Sequence, residues 1–429
     1  MSNLDQLDPL VSPFGVVSNV SRLRPVKGLP ELHMHVANIG TGYPGHGGAR
    51  PSPHADVLIA GSKAIGDRRL GRMIAIAEGA ERYAAFDMNR GTDVCASYDE
   101  LTEPALDPAR IARCSETELA DRRCPLGTID RGTRVRWTKG TDLATGTDVW
   151  LPAVMASYRL RDVTREESFW FRISTGFAVH TDPYEALLRG ACEVIERDMI
   201  ALTWLQRLPL PRVDVAHLSA GTRSLVEWCE QHFLDTCLFD ATSDLGVPTV
   251  LCLQAAPHSI GRMHVLGAAT GRVIDDAAIS ALLEALNAGG RGMAEDRQAG
   301  AKTRAMSQGA DYMAHADRAS AFDFLIDGTA NRSAPPPPRL PERPFDALAV
   351  VVNSIHRAGM QAIAVDATSN ELAAIGLTAV NVVIPELQPM SLIPRAQYRG
   401  HPRLYDGPRR MNYPSRLEEE LNPWPVPFA

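Results

Sequence analysis

Two segments of the chain repeat the pattern Glu-x-x-Glu-Arg within an apolar, helix-like context. They read AEGAERYAAF (77–86) and ACEVIERDMI (191–200). On a helix of about 3.6 residues per turn, Glu78 and Glu81 fall in and beside the apolar face of the first segment. A solvated surface helix would carry its carboxylates on the opposite face. We therefore expect both side chains to point into the protein.

The second segment belongs to a longer helical pattern with a single charged stripe. Apolar residues occupy nearly all of the remaining circumference of this helix. The members of the stripe are Glu185, Arg189, Glu193, Glu196 and Arg197. A helix that is apolar on most of its surface is buried, so we expect the stripe to face the interior of the molecule.

Ionised carboxylates in an interior need positive partners, because each is costly to bury when it is unpaired. The repeated motif supplies four carboxylates, Glu78, Glu81, Glu193 and Glu196, with fewer arginines. Oxygen ligands without His or Cys suit Mg²⁺, which keeps several waters and bridges to a substrate phosphate. We predict that these four carboxylates bind Mg²⁺. The sequence has no Gly-x-x-x-x-Gly-Lys-Ser/Thr loop, so a nucleotide would be held through its metal ions and by arginines.

A purely structural role for these charges is the alternative. The pairs Glu185/Arg189 and Glu193/Arg197 have the favourable i,i+4 spacing of helical salt bridges. The stretch DPYE (182–185) also has the form of an acidic capping box with proline at the first helical position. The recurrence of the motif on two helices, with an excess of carboxylates, favours the cation site.

The elements that must position these residues follow from apolar periodicity and from capping and turn residues. Helices are predicted from about Asp67 to Phe86, from Pro183 to Trp204, and over 275–292, where Asp residues begin the helix and Gly-Gly ends it. Strands and one short helix are predicted at five further places. The strands lie within 133–158 and at 347–355, 361–368 and 379–387, and the short helix lies at 369–376.

Three segments are predicted to be irregular. Residues 39–54 are rich in Gly and Pro and predict a long loop, and 332–344 predict an exposed polyproline-like connector. The final stretch, 388–429, is also rich in proline. The alternation of helices and strands shows no clean compositional break between them.

Composition limits the class of protein. The 429 residues include 44 basic and 51 acidic side chains, for a net charge of −7, with no basic run typical of nucleic-acid binding. No apolar stretch approaches the roughly 20 residues of a membrane span, and the start MSNLDQLDPL lacks a signal-peptide pattern. The seven cysteines show no C-x-x-C spacing and indicate neither a disulfide framework nor a zinc site. We expect a soluble, cytoplasmic protein with no nucleic-acid or membrane partner.

At these motifs the chain resembles the YcaO family of ATP-dependent enzymes that modify peptide backbones. The matching stretches are AIAEGAERYAAF (75–86), 173–204, 278–290, 365–390 and the ending PWPVPFA (423–429). The resemblance implies an α+β fold, with mostly antiparallel sheets and packed helices enclosing a site for ATP and Mg²⁺. It implies an ATP site formed by Glu78, Glu81, Glu185, Glu193, Glu196, Arg197 and Glu284. The chain departs from the family pattern at Ile74, Thr181 and Ser280.

The resemblance also divides the chain into three parts. These are an N-terminal Gly/Pro-rich segment (1–65), an ATP-binding catalytic domain (66–390) and a Pro-rich tail (391–429). Alternating prolines favour an extended arm of low ordering cost, although a ragged terminus is the ordinary alternative. The tail resembles that of the azoline-forming subgroup, in which it reaches the active site and positions or deprotonates the reacting group. This implies catalytic roles for Pro423, Pro425, Pro427 and the carboxylate of Ala429.

The activity that the resemblance implies is an ATP-dependent cyclodehydratase. A Cys, Ser or Thr side chain of a ribosomally made precursor peptide attacks the preceding carbonyl, and ATP phosphorylates the resulting oxygen to give a thiazoline or oxazoline. The first 65 residues are too short and too rich in Gly and Pro for a winged-helix leader-binding module, so a separate E1-like or ThiF-like partner is expected. A flavin-dependent azoline dehydrogenase and a homodimeric core are further expectations.

Three other functions stay open. A YcaO enzyme that forms thioamides or amidines is one, although the Pro-rich ending favours azoline formation. A non-catalytic scaffold that binds a peptide or partner, with the stripe as a salt-bridge core, is another. The carboxylates alone would also suit a general divalent-metal phosphohydrolase.

Overall fold

The computed structural model describes residues 6–23, 32–40, 59–86, 94–259, 263–295, 308–328 and 339–428. The strands are β1 Val17–Arg22, β2 Leu32–Ile39, β3 Ile59–Ile65, β4 Val94–Ala96, β5 Val135–Asp142, β6 Asp148–Pro152, β7 Phe177–His180, β8 Asp235–Asp240, β9 Thr249–Ala255, β10 His264–Thr270, β11 Ile363–Asp366 and β12 Thr378–Val383. The helices are α1 Arg68–Ala84, α2 Glu116–Ala120, α3 Ala153–Ala156, α4 Pro183–Gln206, α5 Ala220–Gln231, α6 Ile274–Glu295, α7 Gln308–Met313, α8 Asp323–Ile326, α9 Pro344–Arg357, α10 Asn370–Ala373 and α11 Arg403–Arg410. Every pairing between these strands is antiparallel, which confirms the predicted α+β class.

The first sheet has the order β1-β2-β3 and covers α1, the predicted helix over 67–86. The carboxylate of Asp67 caps α1 by accepting hydrogen bonds from two amides of its first turn. The buried face of α1, with Ile76 at its centre, shares one apolar cluster with Val17 and neighbouring strand residues. These three strands were not predicted from the sequence. The predicted loop starts at the last residue of β2, and residues 41–54 lie outside the described residues.

The second sheet has the order β4-β5-β11-β12-β7, with β6 paired to β5. Helix α4 lies against β12 and β7, and α9 packs on α4. The strands predicted within 133–158 and at 361–368 and 379–387 are confirmed as β5 with β6, β11 and β12. The short helix predicted at 369–376 is confirmed as α10.

The strand predicted at 347–355 is wrong, because these residues belong to α9. A run of β-branched residues suggested a strand, but the burial of the side chains has the period of a helix. The buried positions are Ala347, Leu348, Val351, Val352 and Ile355. Val350, between them, is 46% exposed. Of the predicted connector, 332–338 lie outside the described residues, and α9 begins at Pro344.

The third sheet has the order β10-β9-β8, with α6 packed on β9 and β10 and α5 against β8. Helix α6 confirms the helix predicted over 275–292. Its predicted end at Gly289-Gly290 is wrong, because the helix continues to Glu295. Glycine within a helix costs about 1 kcal/mol relative to alanine, which weakens a helix without necessarily ending it.

The segment after β12 is largely irregular, as predicted, and contains the single longer helix α11 among its described residues. It packs on the C-terminal half of α4, where Leu404, Leu421, Val426 and Phe428 join one buried cluster with Trp204. Among the described residues, none of the helices combines the length and the apolar character that crossing a membrane requires.

Candidate active site

Helix α4 carries the charged stripe, and its start is built as predicted. The carboxylate of Asp182 accepts hydrogen bonds from the amides of Tyr184 and Glu185, at 2.8 and 3.3 Å, and Pro183 is the first helical residue. This cap fixes the residue at which the helix begins. The spacing of the glutamates along the helix then brings them to one side of it. The predicted helix is confirmed and runs slightly further than expected, to Gln206.

Glu193, Glu196 and Arg197 meet in the middle of α4. Nη2 of Arg197 lies 3.4 Å from Oε1 of Glu193 and 3.9 Å from Oε1 of Glu196. Each glutamate uses its other oxygen, Oε2, to accept a backbone amide at 3.0 Å, from Gly176 for Glu193 and from Thr270 for Glu196. The guanidinium that they share therefore holds the two remaining oxygens on the same side of the helix.

Gly176 is the residue that presents its amide to Glu193. Its φ of +88° is in the region that favours glycine, and a Cβ at this position would lie 2.1 Å from the carbonyl oxygen of Val382. The chain between Thr175 and β7 can therefore approach β12 closely only because residue 176 is glycine.

Glu284 on α6 joins the same region from the opposite side. Its Oε2 accepts the amide of Ala268 at 2.9 Å, so Glu196 and Glu284 bind amides two residues apart on β10. Strand β10 is at the edge of its sheet, and both amides point away from β9. At Gly267, a Cβ would lie 2.3 Å from the carbonyl oxygen of Ala281, so glycine permits the close approach of α6. The two carboxylates thus occupy the free edge of β10.

Glu78 and Glu81 approach this region from α1. Nη2 of Arg82 lies 3.1 Å from Oε1 of Glu78. Within the described part of the chain, Glu81 has neither a side-chain hydrogen bond nor a salt bridge. Burial raises the pKa of the Glu81 carboxyl well above its ordinary value, and the nearby charges of Glu193 and Glu78 raise it further. Because the charge of Glu193 acts on Glu81, the two Glu-x-x-Glu-Arg motifs lie near each other in the fold.

The site holds more carboxylates than cations. Burial is the largest cause that raises the pKa of Glu196, to about 8, and Glu284 and Glu193 add to the effect against Arg197. Burial also raises the pKa of Glu193. Burial disfavours the ionised form of these carboxyls, and Arg197 supplies too little positive charge to offset it. A divalent cation would supply that charge, and the all-oxygen donor set suits Mg²⁺.

The geometry fits an ion that shares its coordination with a ligand. Across the described ranges, no three His, Cys, Asp or Glu side chains converge closely enough to hold a metal by themselves. Mg²⁺ is ordinarily bound through one or two carboxylates, with waters and substrate phosphates completing its shell. The two Glu-x-x-Glu-Arg motifs together can supply one or two carboxylate oxygens of this kind. The assignment of Glu78, Glu81, Glu193 and Glu196 as metal ligands stays a prediction.

Glu185 has a different environment. Its Oε2 lies 2.5 Å from Nη2 of Arg272, and its Oε1 lies 2.9 Å from Nε of Arg189. Burial opposes ionisation of Glu185, but the hydrogen bonds and charges of both arginines outweigh it and lower its pKa. Glu185 lies about 12 Å along the helix from Glu193. Its predicted contact with ATP stays a prediction, and here it is a paired charge.

The three departures from the family pattern lie one turn or less from predicted site residues. Ile74 precedes Glu78 on α1, and Ser280 precedes Glu284 on α6. Thr181 immediately precedes the capping residue of α4. What these positions contribute to nucleotide binding stays a prediction.

A second buried charge cluster on α4 was not predicted from the sequence. Both carboxylate oxygens of Asp198 contact Arg403, with Nη2 at 2.8 Å from Oδ2, and the same guanidinium binds Asp244 at 2.7 and 3.0 Å. The amide of Gln388 donates to Oδ1 of Asp198 at 2.8 Å. Asp198 is fully buried. Its position directly after Arg197 was the only signal in the sequence, since its partners come from distant loops.

The Pro-rich tail packs along the C-terminal end of α4. The amide of Asn422 donates to the carbonyl of Leu205 at 2.8 Å, and Nε1 of Trp204 donates to the carbonyl of Trp424 at 2.9 Å. Pro423 is exposed, Pro425 is half-buried and Pro427 is buried. The described tail is therefore fixed by specific bonds. Ala429 lies outside the described residues, so the catalytic roles of Pro423, Pro425, Pro427 and Ala429 stay predictions.

A pocket of about 60 Å³ opens beside Arg197. Its walls come from residues between 155 and 175, which precede α4 in the chain, and from residues 382–390, which follow it. Val194 and Arg197 of α4 also form part of the lining. The apolar lining includes Trp170, Phe171, Ile173, Val194, Val383 and Met390. Thr175 and Gln388 contribute polar groups to the lining. The described chain thus has an apolar chamber directly next to the carboxylate cluster.

A family model described as YcaO cyclodehydratase, ATP- and Mg²⁺-binding, matches residues 67–388. An uncharacterised protein encoded in the tfuA 3′ region of Rhizobium leguminosarum bv. trifolii is 30% identical over 152 residues, which are 34% of this chain and 33% of that protein. A heterocyclase solved in complex with substrate and cofactor has a TM-score of 0.81 and 22% identity, and the alignment covers 99% of this chain and 56% of that chain. The microcin synthetase McbBCD complex of E. coli gives a TM-score of 0.67 at 13% identity, with 96% of each chain covered.

The structural likenesses have identities low enough that they show the fold alone. The chain spans one third of the curated relative and a little over half of the first heterocyclase. The family match, by contrast, extends over well more than half of the 429 residues and includes every glutamate predicted for the ATP site. The chain belongs to the YcaO cyclodehydratase family, whose members bind ATP and Mg²⁺.

Proposed function

We propose that this protein is an ATP-dependent cyclodehydratase that forms thiazolines or oxazolines in a ribosomally made precursor peptide. The observation that carries the proposal is the surplus of partly buried carboxylates on α1, α4 and α6, which act on one another electrostatically, in a chain of a family that binds ATP and Mg²⁺. A scaffold that needed these charges only for stability would pair each of them, as Glu185 is paired.

The reaction begins when a Cys, Ser or Thr side chain of the peptide adds to the preceding backbone carbonyl. A bond forms from sulfur or oxygen to the carbonyl carbon, the side-chain proton leaves, and the carbonyl oxygen becomes an alkoxide. This oxygen then attacks the γ-phosphorus of ATP, and the bond between the γ-phosphorus and the bridging oxygen breaks to release ADP. Loss of the amide proton and of phosphate leaves the C=N bond of the azoline. The peptide loses one water for each ring.

The residues of this chain act by binding and orientation. Glu78, Glu81, Glu193 and Glu196 would hold Mg²⁺, with Glu284 and Arg197 completing the ATP site. Bound Mg²⁺ neutralises charge that develops on the transferring phosphoryl group. Arg197 stays beside Glu193 and Glu196 and orients both carboxylates. Glu185 would contact ATP only if its arginine partners rearranged.

The tail belongs to the same proposal. Pro423, Pro425 and Pro427 stiffen an arm that is bonded to the end of α4, and the carboxylate of Ala429 would orient or deprotonate the reacting side chain. A carboxylate is a suitable base when it is held within hydrogen-bond reach of the proton it removes. The fixed path of the described tail supports this role.

We further propose that the enzyme works in the cytoplasm with a leader-binding partner of the E1-like or ThiF-like kind. The McbBCD complex, in which a chain of this fold is part of an assembly, supports a multi-protein arrangement. The described residues before α1 form the sheet that covers this helix, which leaves the leader to be captured by another surface. A flavin-dependent azoline dehydrogenase and a homodimeric core belong to the same proposal.

Calorimetric titration with Mg-ATP tests the site. The wild type is expected to bind Mg-ATP in a Mg²⁺-dependent manner, and Glu81→Gln/Glu196→Gln is expected to weaken binding by roughly 100-fold or more. The double variant Glu100→Gln/Glu342→Gln is the matched control, because it removes two exposed glutamates and should bind as the wild type does. Equal binding by the wild type and the Glu81/Glu196 variant would contradict the assignment.

Mass spectrometry of the peptide product tests the reaction. With the partner and precursor peptide present, each turnover should remove one water from the peptide and release one ADP and one phosphate. Replacement of an amide oxygen by sulfur would identify a thioamide-forming enzyme. Release of ADP and phosphate without any change in the peptide would indicate a phosphohydrolase, and absence of nucleotide binding with the partner present would indicate a scaffold.

A further inference from the structure

The pocket beside Arg197 is connected to the carboxylate cluster through one of its walls and through α4 itself, and its other wall is fixed to α4 next to that cluster. One wall contains Ile173 and Thr175 and leads directly to Gly176, whose amide binds Glu193. The other wall contains Gln388, whose amide is held by Asp198, the residue after Arg197. Val194 and Arg197 lie one turn apart on α4 and face the pocket together. The pocket is therefore a continuation of the site where phosphoryl transfer is proposed.

Two buried polar atoms in the lining residues lack partners within the described chain. They are Oε1 of Gln388 and Nε of Arg197. Gln388 is 1% exposed, and its Nε2 donates to the carbonyls of Gln397 and Tyr398, which fixes the identity of the unpaired oxygen as an acceptor. Arg197 offers a donor. A peptide group, which has one N–H and one C=O, is complementary to this pair.

Apart from Thr175, the remaining lining is apolar and limits which side chains can enter. The pocket of about 60 Å³ has room for roughly four water-sized groups, which matches an aliphatic side chain such as Val or Leu. Ile173 and Met390 also pack against the cluster that contains Val426 and Phe428 of the tail. The pocket therefore lies between the carboxylate cluster and the Pro-rich tail.

We infer that this pocket binds the side chain of the substrate residue that precedes the cyclising Cys, Ser or Thr, while Gln388 and Arg197 bind the peptide backbone there. The inference rests on the proposed cyclodehydratase function. This residue carries the carbonyl that is phosphorylated, so its oxygen must face the carboxylate cluster and its side chain enters the adjoining chamber. The pocket thus selects which peptide positions are cyclised, in favour of a medium-sized aliphatic residue.

Peptides of the form acetyl-Gly-Gly-Xaa-Cys-Gly-Gly-amide, with Xaa as Gly, Ala, Val, Leu or Phe, test the inference. Binding is measured by NMR titration of each peptide against the full chain with Mg²⁺ and a non-hydrolysable ATP analogue. Val or Leu at Xaa should bind about 100-fold more tightly than Gly, because three to four apolar carbons become buried at about 0.8 kcal/mol each. Val194→Ala should shift the optimum to a larger residue, and Val194→Leu to a smaller one.

Leu187→Ala is the matched control. Leu187 is on the same helix and packs in the same apolar cluster as Val194, but it does not line the pocket. It should leave the preference at Xaa unchanged. Opposite shifts by the two Val194 variants cannot arise from a general loss of stability.

Three results would overturn the inference. One is an affinity that does not depend on the size of Xaa. Another is a size preference that neither Val194 variant moves. A third is a change in the affinity for the ATP analogue with an unchanged peptide profile, which would assign the pocket to the nucleobase. Failure of the proposed function gives a different result, since peptides would then bind with the expected profile while the assembled enzyme forms no azoline.

Discussion

The two buried acidic regions of α4 differ in how their charge is balanced. Asp198 is fully buried, yet both of its oxygens contact Arg403 and one also accepts a backbone amide. Two residues earlier, Glu196 is also largely buried, but its nearest cation, Arg197, is shared with Glu193 and lies 3.9 Å away. A cluster whose carboxylates are matched by arginines, here called balanced, stabilises the packing around it. A cluster with more carboxylates than arginines, here called unbalanced, can still bind an external cation.

The same contrast separates the ends of the charged stripe. Glu185 has two arginine partners, and its pKa is lowered despite burial. Glu196 and Glu81 have raised pKa values because burial and neighbouring carboxylates act together. Glu185 is more buried than Glu193 and Glu196, with side-chain exposures of 7%, 25% and 12%, so burial does not explain why its pKa alone is lowered. The ratio of carboxylates to arginines is therefore the property that distinguishes the proposed ligand site from a salt bridge in this helix.

Removing the cation of the balanced cluster should have the largest effect on stability. Arg403→Leu leaves Asp198 and Asp244 without their partner, and we expect it to lower the free energy of unfolding by about 3–5 kcal/mol in urea titrations. Arg409→Leu is the control. Arg409 belongs to an exposed pair with Asp406, and its removal should cost about 1 kcal/mol or less. A loss of similar size in both variants would mean that the buried cluster does not fix α11 and the tail to α4.

Titration of the unbalanced cluster should have the next largest effect. The unfolded chain ionises Glu196 near its ordinary pKa of 4.5, whereas the folded chain retains the proton up to a pKa of about 8. Between these values the folded state binds more protons, so the free energy of unfolding without metal decreases as pH rises. The contribution of the protonated Glu196 carboxyl to the free energy of unfolding is fully present below about pH 4.5 and is lost as pH rises through 8. Thermal unfolding of wild type and Glu196→Gln across this range measures it.

The Glu196→Gln variant should show a shallower dependence on pH. Mg²⁺ competes with the proton, so stabilisation of the wild type by Mg-ATP should increase toward pH 8. Glu342→Gln, a change at an exposed glutamate, should reproduce the wild-type curve. Identical curves for all three proteins would show that Glu196 is already balanced.

The smallest effect is expected at the paired end of the stripe. In Glu185→Gln both arginine partners can reach solvent, because Arg189 is 62% exposed and Arg272 is 28% exposed. The free energy of unfolding should therefore decrease by about 1 kcal/mol. Mg-ATP affinity, measured by calorimetry, should change less than about twofold, well under the tenfold that 1.4 kcal/mol represents. A marked loss of affinity would place Glu185 with the unbalanced group, as the family resemblance implies.

Local sequence signals were sufficient for several elements and failed for others. The caps at Asp67 and Asp182 and the 3.6-residue periodicity gave α1 and α4 within a few residues, because capping and amphipathic burial are local properties. The run at 347–355 was misassigned since β-branched composition outweighed its helical spacing. The sheet β1-β2-β3 was missed because its strands contain buried polar residues such as His35 and Ser62.

The sequence by itself determined which carboxylates share a helix face, and it identified the family to which they belong. The i,i+4 spacing also indicated the pairs Glu185/Arg189 and Glu193/Arg197, but only the tertiary structure decided which carboxylates gain a cation from elsewhere in the chain. Arg272 reaches Glu185, Arg403 reaches Asp198, and the free edge of β10 meets Glu196 and Glu284, all from segments distant in the chain. Periodicity fixes the direction in which a side chain points. The charge of what it meets depends on chain packing, and that charge separates a structural ion pair from a site for Mg²⁺ and ATP.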